Sequence, residues 1–470
     1  MEQLTFSSSA ERREFTDSDS RSIIITFFLS GMFWLLVGST LAILASFKMH
    51  WPDFLGQTAW LTFGRVRPLH LNTMVYGWAS LTSAGVGLWI LTRVLHTTIP
   101  LKKTMYTGIG TWNLGLLIGS VQILGGYSNG MEWLEIPFGP ALLIVAGLIP
   151  VALASLIMLV NKATKHLYIS VYYIIAGFIW IISLLLVAYI PDYSSTVQAG
   201  MNWWYAHNAL GLWFTPICLA SAYFLIPKVT GRPIYSYWLS LLGFWTLALF
   251  YNWNGFHHLI GGPVPTWATT VSISASVMMI IPVVTVAVNH HLTVVGVFDR
   301  VINSPTLRFI VFGAMSYTFV SLQGSFQALR TFNETIHFTH YVIGHAHIGM
   351  YAFVTMVLFG SMYYILPRLT KWEWHSKGLI KAHFWLTALG IILYIVAMQT
   401  GGIWQGIQLN NPEIPFMDIV ENMLPFLQAR SFAAIMLTLG HLIFAWLVIK
   451  ILWHGRMERP DPVTKMSQAK

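Results

Sequence analysis

The chain of 470 residues contains one cysteine, Cys218, and only 9% of its side chains are charged. A lone thiol excludes an intrachain disulfide framework and any thiolate cluster for zinc or iron–sulfur. Any metal must be held by histidine or oxygen. The motif C-x-x-C-H is also missing, so this chain attaches no haem c of its own. Soluble domains carry roughly 25% charged residues, and a chain with so few is not a water-soluble globule. Internal repeats and low-complexity linkers are missing as well, which excludes a solenoid or a string of small domains.

What is present instead is apolar: 56% hydrophobic and 15% aromatic residues, with a mean hydropathy of +0.63. Crossing a bilayer takes about 20 consecutive apolar residues. Twelve such runs are centred near residues 35, 82, 115, 149, 179, 215, 248, 283, 318, 352, 391 and 441. The expected fold is an all-α polytopic membrane protein with twelve transmembrane helices and both termini on one side. Residues 1–21 are polar and lack a signal-peptide pattern, so they read as a cytoplasmic tail. Residues 22–455 read as one helical domain and 456–470 as a cytoplasmic C-terminal tail. Alternating the loops places 21 of the 26 Lys and Arg on the inner side and leaves Lys48, Arg65, Arg67, Arg330 and Arg430 outside. That is the positive-inside asymmetry. Membrane insertion, and not nucleic acid, accounts for the net charge of +9.

Ionisable groups at membrane depth are expensive and mark function, which directs attention to the 17 histidines. Six fall in a pattern: His70 in FGRVRPLHLN, His207 in NWWYAHNALG, His257 and His258 in YNWNGFHHLIGG, and His345 and His347 in YVIGHAHIGM. Neutral imidazole suits haem iron and copper. At about 100° per residue, His345 and His347 point to opposite faces of one helix. That helix could hold two separate irons, with His347 sharing its iron with His70 and His345 holding the other. His207, His257 and His258 remain as three imidazoles for a copper ion. A lone buried histidine is more often a hydrogen-bonded core residue, but six in this arrangement argue for ligation. His290 and His291 read as membrane-interface residues at an inner helix end. His337 and His340 are weaker candidates. His50, His96, His166, His375, His383, His441 and His454 read as loop or inner-end residues without chemistry.

With those residues in place, the chain resembles subunit I of the haem–copper oxidases, specifically the catalytic subunit of the cbb3-type cytochrome c oxidases. The resemblance spans nearly the whole chain. It rests on FGRVRPLH, on EWLE at 132–135, on WWYAHNALG, on YFLIPK with RPIYSY, on Y-x5-HH at 251–258 and on GHAH at 344–347. It implies His70 and His347 as axial ligands of low-spin haem b, His345 as the ligand of high-spin haem b3, and His207, His257 and His258 as ligands of the copper ion CuB. Mitochondrial-like oxidases carry a tyrosine four residues after the first copper histidine; here position 211 is Gly. The cbb3 family takes that tyrosine from the seventh helix, where Tyr251 stands. A phenol there can supply an electron and a proton to O2 cleavage.

Further roles follow from the same resemblance. Ser240, eleven residues and about three turns before Tyr251, and Tyr223 resemble the family's inner-side proton pathway. Arg65 and Arg67 break the charge asymmetry and could pair with haem propionates. Glu132 and Glu135 resemble the acidic segment that binds calcium. One departure stands out: the family usually has Glu-Gly in the ninth helix, and this chain has Gln323-Gly324.

The implied activity is proton-translocating reduction of O2 to water in a bacterial inner membrane, with two b-type haems, one copper and calcium as cofactors. Electrons would come from a c-type cytochrome donor through membrane-anchored mono-haem and di-haem cytochrome c subunits. The alternative on the same fold is a nitric oxide reductase with non-haem iron in place of copper. Its family carries a glutamate where Gly211 stands here, which argues against it. A polytopic transporter would show paired charges at mid-membrane, and here the buried polar groups are histidines and aromatics.

Overall fold

A computed structural model describes residues 8–56, 58–189 and 193–454. The whole of the expected C-terminal tail, 456–470, and residues 1–7 of the N-terminal tail lie outside the described residues. All regular secondary structure among the described residues is helical. Ten segments are long and apolar enough to cross a membrane: α1 (Ser9–Lys48), α2 (Phe63–Leu95), α4 (Phe138–Val160), α5 (Ile169–Tyr189), α6 (Ser195–Thr230), α8 (Thr266–Val294), α9 (Pro305–Gln327), α10 (His340–Thr370), α11 (Lys377–Leu409) and α12 (Phe416–Trp453). At the other two expected positions stand α3 (Lys102–Gly125) and α7 (Tyr237–Tyr251). The twelve-helix expectation therefore fits. α1 starts at Ser9, where the Ser8 hydroxyl accepts from the Glu11 amide at 3.1 Å, and runs unbroken into the membrane span. Residue 21 is thus no break in secondary structure.

The arrangement inverts the logic of a soluble core. The most apolar stretches of α2, α6 and α10 are 94%, 89% and 67% buried, against 39% to 56% in the other spans. These three helices pack against one another, and the others surround them. Neighbours satisfy many of the histidines and hydroxyls in the centre, among them His70, His347, Ser80 and Thr355, while the outer helices present Leu, Ile, Phe and Trp outward.

Each central helix also contains a π-helical segment: Thr73–Ala79 in α2, Leu210–Phe214 in α6 and Ile348–Thr355 in α10. These widened turns start three, three and one residues after His70, His207 and His347. The carbonyls that a π turn releases need partners. Ser80 donates to Val75 O at 2.8 Å and Thr355 donates to Met350 O at 2.9 Å, both five residues back. The same two hydroxyls accept from neighbouring helices, Ser80 from Trp213 Nε1 at 3.0 Å and Thr355 from Trp78 Nε1 at 3.1 Å. Two indoles thus stitch α6 to α2 and α2 to α10 at the level of the widened turns.

Candidate functional site

Three of the six patterned histidines form one cluster. The ligand nitrogens of His207, His257 and His258 all lie within 4.8 Å of one another. His207 comes from α6, immediately before its widened turn. His257 and His258, expected as neighbours within the seventh helix, lie beyond its end. α7 ends at Tyr251, and the pair lies in a 3-10 turn, Phe256–Leu259. The physical reason is angular: on a continuous α-helix adjacent rings diverge by about 100°, whereas the turn brings the two imidazoles to 4.5 Å between centroids. Asn254 and Gly255 supply the break.

Hydrogen bonds decide which nitrogens of these rings are free. Ser276 spends its hydroxyl hydrogen on Ser272 O at 2.7 Å, so His257 Nδ1 donates to Ser276 Oγ at 2.9 Å and its Nε2 lone pair is left over. His207 Nδ1 has no hydrogen-bond partner among the described residues. Trp203 stacks on His258 at 4.4 Å with 11° between the planes. Three neutral nitrogens without a carboxylate suit copper better than a hard cation. The residues therefore fit a copper ion.

Tyr251 packs against this cluster, with its ring 4.8 Å from that of His207. Its position explains Gly211: a Cβ there would overlap the Tyr251 ring. Tyrosine at 251 and any larger residue at 211 exclude one another.

His345 is oriented from behind. Its Nδ1 donates to Gln323 Oε1 at 2.8 Å. Gln323 Oε1 also accepts from Gln399 Nε2 at 3.0 Å, and Gln323 Nε2 donates to the Tyr341 hydroxyl at 3.0 Å. With Gln323 Oε1 as the acceptor, the His345 proton sits on Nδ1 and Nε2 is left free. His70 and His347 follow the same rule, with Nδ1 donating to Gly38 O and to Ile343 O, each at 2.9 Å. In all three rings an acceptor holds the proton on Nδ1 and presents Nε2, as an iron ligand requires. These residues fit haem iron.

The charged residues expected around the propionates and calcium are brought together, mostly with one another. Arg67 pairs with Glu132 and stands 3.6 Å from Glu135. Glu135 is buried and accepts from Asn72 Nδ2 at 2.8 Å. Arg65 donates to Leu124 O at 2.9 Å. Burial in the loop pushes the Glu135 carboxyl up to about 7, against the opposing pull of Asn72 and Arg67.

Tyr223 and Ser240 are both buried. The Tyr223 hydroxyl accepts from Asn289 Nδ2 at 3.4 Å, while Ser240 donates to Tyr237 O on its own helix at 2.6 Å. No hydrogen bond joins either to Tyr251 among the described residues. His290 does not reach outward as a snorkelling residue would: it is 3% exposed, with its ring 4.4 Å from that of Tyr223. His383 and His441 are also buried within helices, each bonded to a tyrosine, Tyr363 at 2.8 Å and Tyr351 at 2.7 Å. Their partners on other helices left no local pattern to read; the only signal was an ionisable residue inside an apolar run.

Residues 22–436 match the family described as cytochrome c and quinol oxidase polypeptide I. The chain belongs to this family, whose haem–copper members carry haem and copper. It is 30% identical over 400 residues to the cbb3-type cytochrome c oxidase subunit CcoN1 of Stutzerimonas stutzeri, covering 83% of this chain and 84% of that one. It is also 30% identical to the cytochrome c oxidase subunit 1 homolog of Azorhizobium caulinodans, over 89% of this chain and 79% of the other. A solved structure described as a heme-copper terminal oxidase dimer superposes with a TM-score of 0.72 at 16% identity, covering 97% of this chain and 85% of its own. Within the family, the similarity is to the cbb3-type subunit I, a cytochrome c oxidase.

Proposed function

We propose that this chain is the catalytic subunit of a cbb3-type oxidase that reduces O2 to water with electrons from c-type cytochromes, coupled to proton translocation across a bacterial inner membrane. The observation that carries the reading is the His207, His257 and His258 cluster with the Tyr251 ring 4.8 Å from His207. His70 and His347 would hold low-spin haem b, His345 high-spin haem b3, and the three clustered histidines CuB. Bound there, haem iron and copper supply the electrons for O2 reduction. The chain's own part is to present Nε2 of each iron-ligating imidazole and to hold the Tyr251 hydroxyl as a source of one proton and one electron. The buried Tyr223 and Ser240 lie on the side from which a proton would reach Tyr251.

Arg65 and Arg67 would face the haem propionates, with Glu132 and Glu135 beside them as the calcium site. Without C-x-x-C-H, electrons would enter through separate mono-haem and di-haem cytochrome c subunits. Both termini would be cytoplasmic.

The test is the copper and iron content of the purified complex, compared with haem b and haem c from pyridine haemochrome spectra. One copper per two b haems, with no iron beyond haem, is the expected result. One non-haem iron and no copper would mean nitric oxide reduction and leave Tyr251 as packing. His207→Ala should abolish copper and turnover and leave the low-spin haem spectrum intact; loss of that spectrum would overturn the assignment.

A further inference from the structure

We propose that His441 is a positioning residue for the low-spin haem, acting through the backbone that orients His70. The inference rests on the reading of His70 and His347 as axial ligands. His441 is buried in α12, 3% exposed, and both of its ring nitrogens are engaged. Nδ1 lies 2.6 Å from Ser39 Oγ on α1, and Nε2 lies 2.7 Å from the Tyr351 hydroxyl on α10. Ser39 also donates to Leu35 O at 2.6 Å. With its only hydrogen spent there, Ser39 accepts from His441 Nδ1, and Tyr351 donates to Nε2. The result is a neutral imidazole of fixed tautomer that bridges two helices.

One end of the bridge adjoins the support of His70, and the other lies in the turn that follows His347. Ser39 follows Gly38, whose carbonyl accepts from His70 Nδ1 at 2.9 Å. Gly38 permits that approach: a Cβ there would lie 2.9 Å from Met74 Cγ and 3.1 Å from Thr73 Oγ1, in the widened turn that follows His70. Tyr351 lies in the widened turn that follows His347. His441 thereby ties the α1 turn that orients one axial imidazole to the α10 turn that follows the other. The bond from Nδ1 to the carbonyl raises imidazole basicity, and basicity is a lever on haem potential. Releasing the tie lets Gly38 O withdraw, makes His70 a weaker donor to ferric iron and favours reduction.

The experiment is a redox titration of the purified, haem-loaded complex carrying His441→Phe, which keeps aromatic bulk beside Phe359 and drops both bonds. The low-spin haem should become easier to reduce by about tenfold in its equilibrium, an upward shift of about 59 mV for one electron. Its reduced absorption band should move, while the high-spin haem keeps its potential. His441→Gln, able to accept from Tyr351 and donate to Ser39, should bring the potential most of the way back to the wild-type value. An unchanged low-spin potential in a fully haem-loaded His441→Phe overturns the proposal. If that variant does not assemble, Tyr351→Phe gives the same readout, with a smaller shift of the same sign expected and no shift overturning the proposal. His347→Ala separates the premise from the inference. A low-spin spectrum that survives it overturns the axial-ligand reading; loss of that spectrum beside an unmoved potential in His441→Phe overturns only the role of His441.

Discussion

At the scale of single residues, the sharpest constraint is the pair Gly211 and Tyr251. Because a Cβ at 211 would overlap the tyrosine ring, Gly211→Ala has to displace that ring from His207 or open α6 away from α7. Overpacking of this kind costs about 1–3 kcal/mol. Turnover should fall while the two proposed iron sites, whose histidines are supported by Gln323, Gly38 and Ile343, keep their haem spectra. Steady-state turnover beside haem content checks this; full activity would mean that the phenol need not stand against His207. A second residue-scale prediction concerns pH. Glu135, ordinarily near 4.5, is pushed up to about 7, chiefly by burial. An acid whose folded value is raised stabilises the fold fully below its unfolded value, and that contribution is lost as pH rises toward about 7. In chelator, the wild-type melting temperature should therefore fall relative to Glu135→Gln between about pH 5 and pH 8. With Glu135 in the proposed calcium site, added calcium should cancel the fall by holding the carboxylate ionised. A gap that stays constant without calcium would show the carboxylate already charged beside Arg67.

At the scale of elements, the helices were legible because bilayer thickness demands long apolar runs and lysine and arginine sort by side. The histidine pattern was legible because His345 and His347 differ by a fixed angle on any α-helix. The widened turns after His70, His207 and His347 were not. A change of helical pitch over five to eight residues leaves too short a pattern to distinguish from an ordinary helix. The 3-10 turn at His257 and His258 was hidden for the same reason, and His441 because Ser39 stands 402 positions away in sequence. The widened turns nevertheless have a testable anchor in Thr355. Replacing it with the near-isosteric valine strands the buried Trp78 indole N–H and releases Met350 O. An unpaired buried donor costs about 1–3 kcal/mol. Thr355→Val should lower the melting temperature, and adding Trp78→Phe should recover part of the loss by removing the stranded donor. A purely additive double variant would show that the indole is not held by this hydroxyl.

At the scale of the whole molecule, α1 is the strut that spans the bundle, and it is held at separate heights by separate means. Midway, Trp34 Nε1 donates to Asn113 Oδ1 at 2.9 Å and Ser39 meets His441. At the end rich in arginine and lysine, Asp17 pairs with Arg93 and accepts from Trp89 Nε1 at 3.0 Å, while Glu14 pairs with Lys371 and Asp19 with Lys102. These three pairs are not equivalent. The Asp17 and Arg93 side chains are 12% and 9% exposed, whereas those of Glu14 and Lys371 are 65% and 49% exposed. Removing one partner of a buried pair strands the other charge and costs about 3–5 kcal/mol, while an exposed pair is worth within about 1 kcal/mol and is screened by salt. Asp17→Asn should therefore lower the melting temperature of the purified protein strongly, and nearly as much at high salt as at low. Glu14→Gln should barely move it. Because α1 is independently fixed at Ser39 and Trp34, the destabilised Asp17→Asn protein should keep its low-spin haem spectrum and potential until it unfolds. A potential that moves in Asp17→Asn would mean that α1 transmits displacement along its length, and the support of His70 would then belong to the whole strut instead of to the contacts around Gly38.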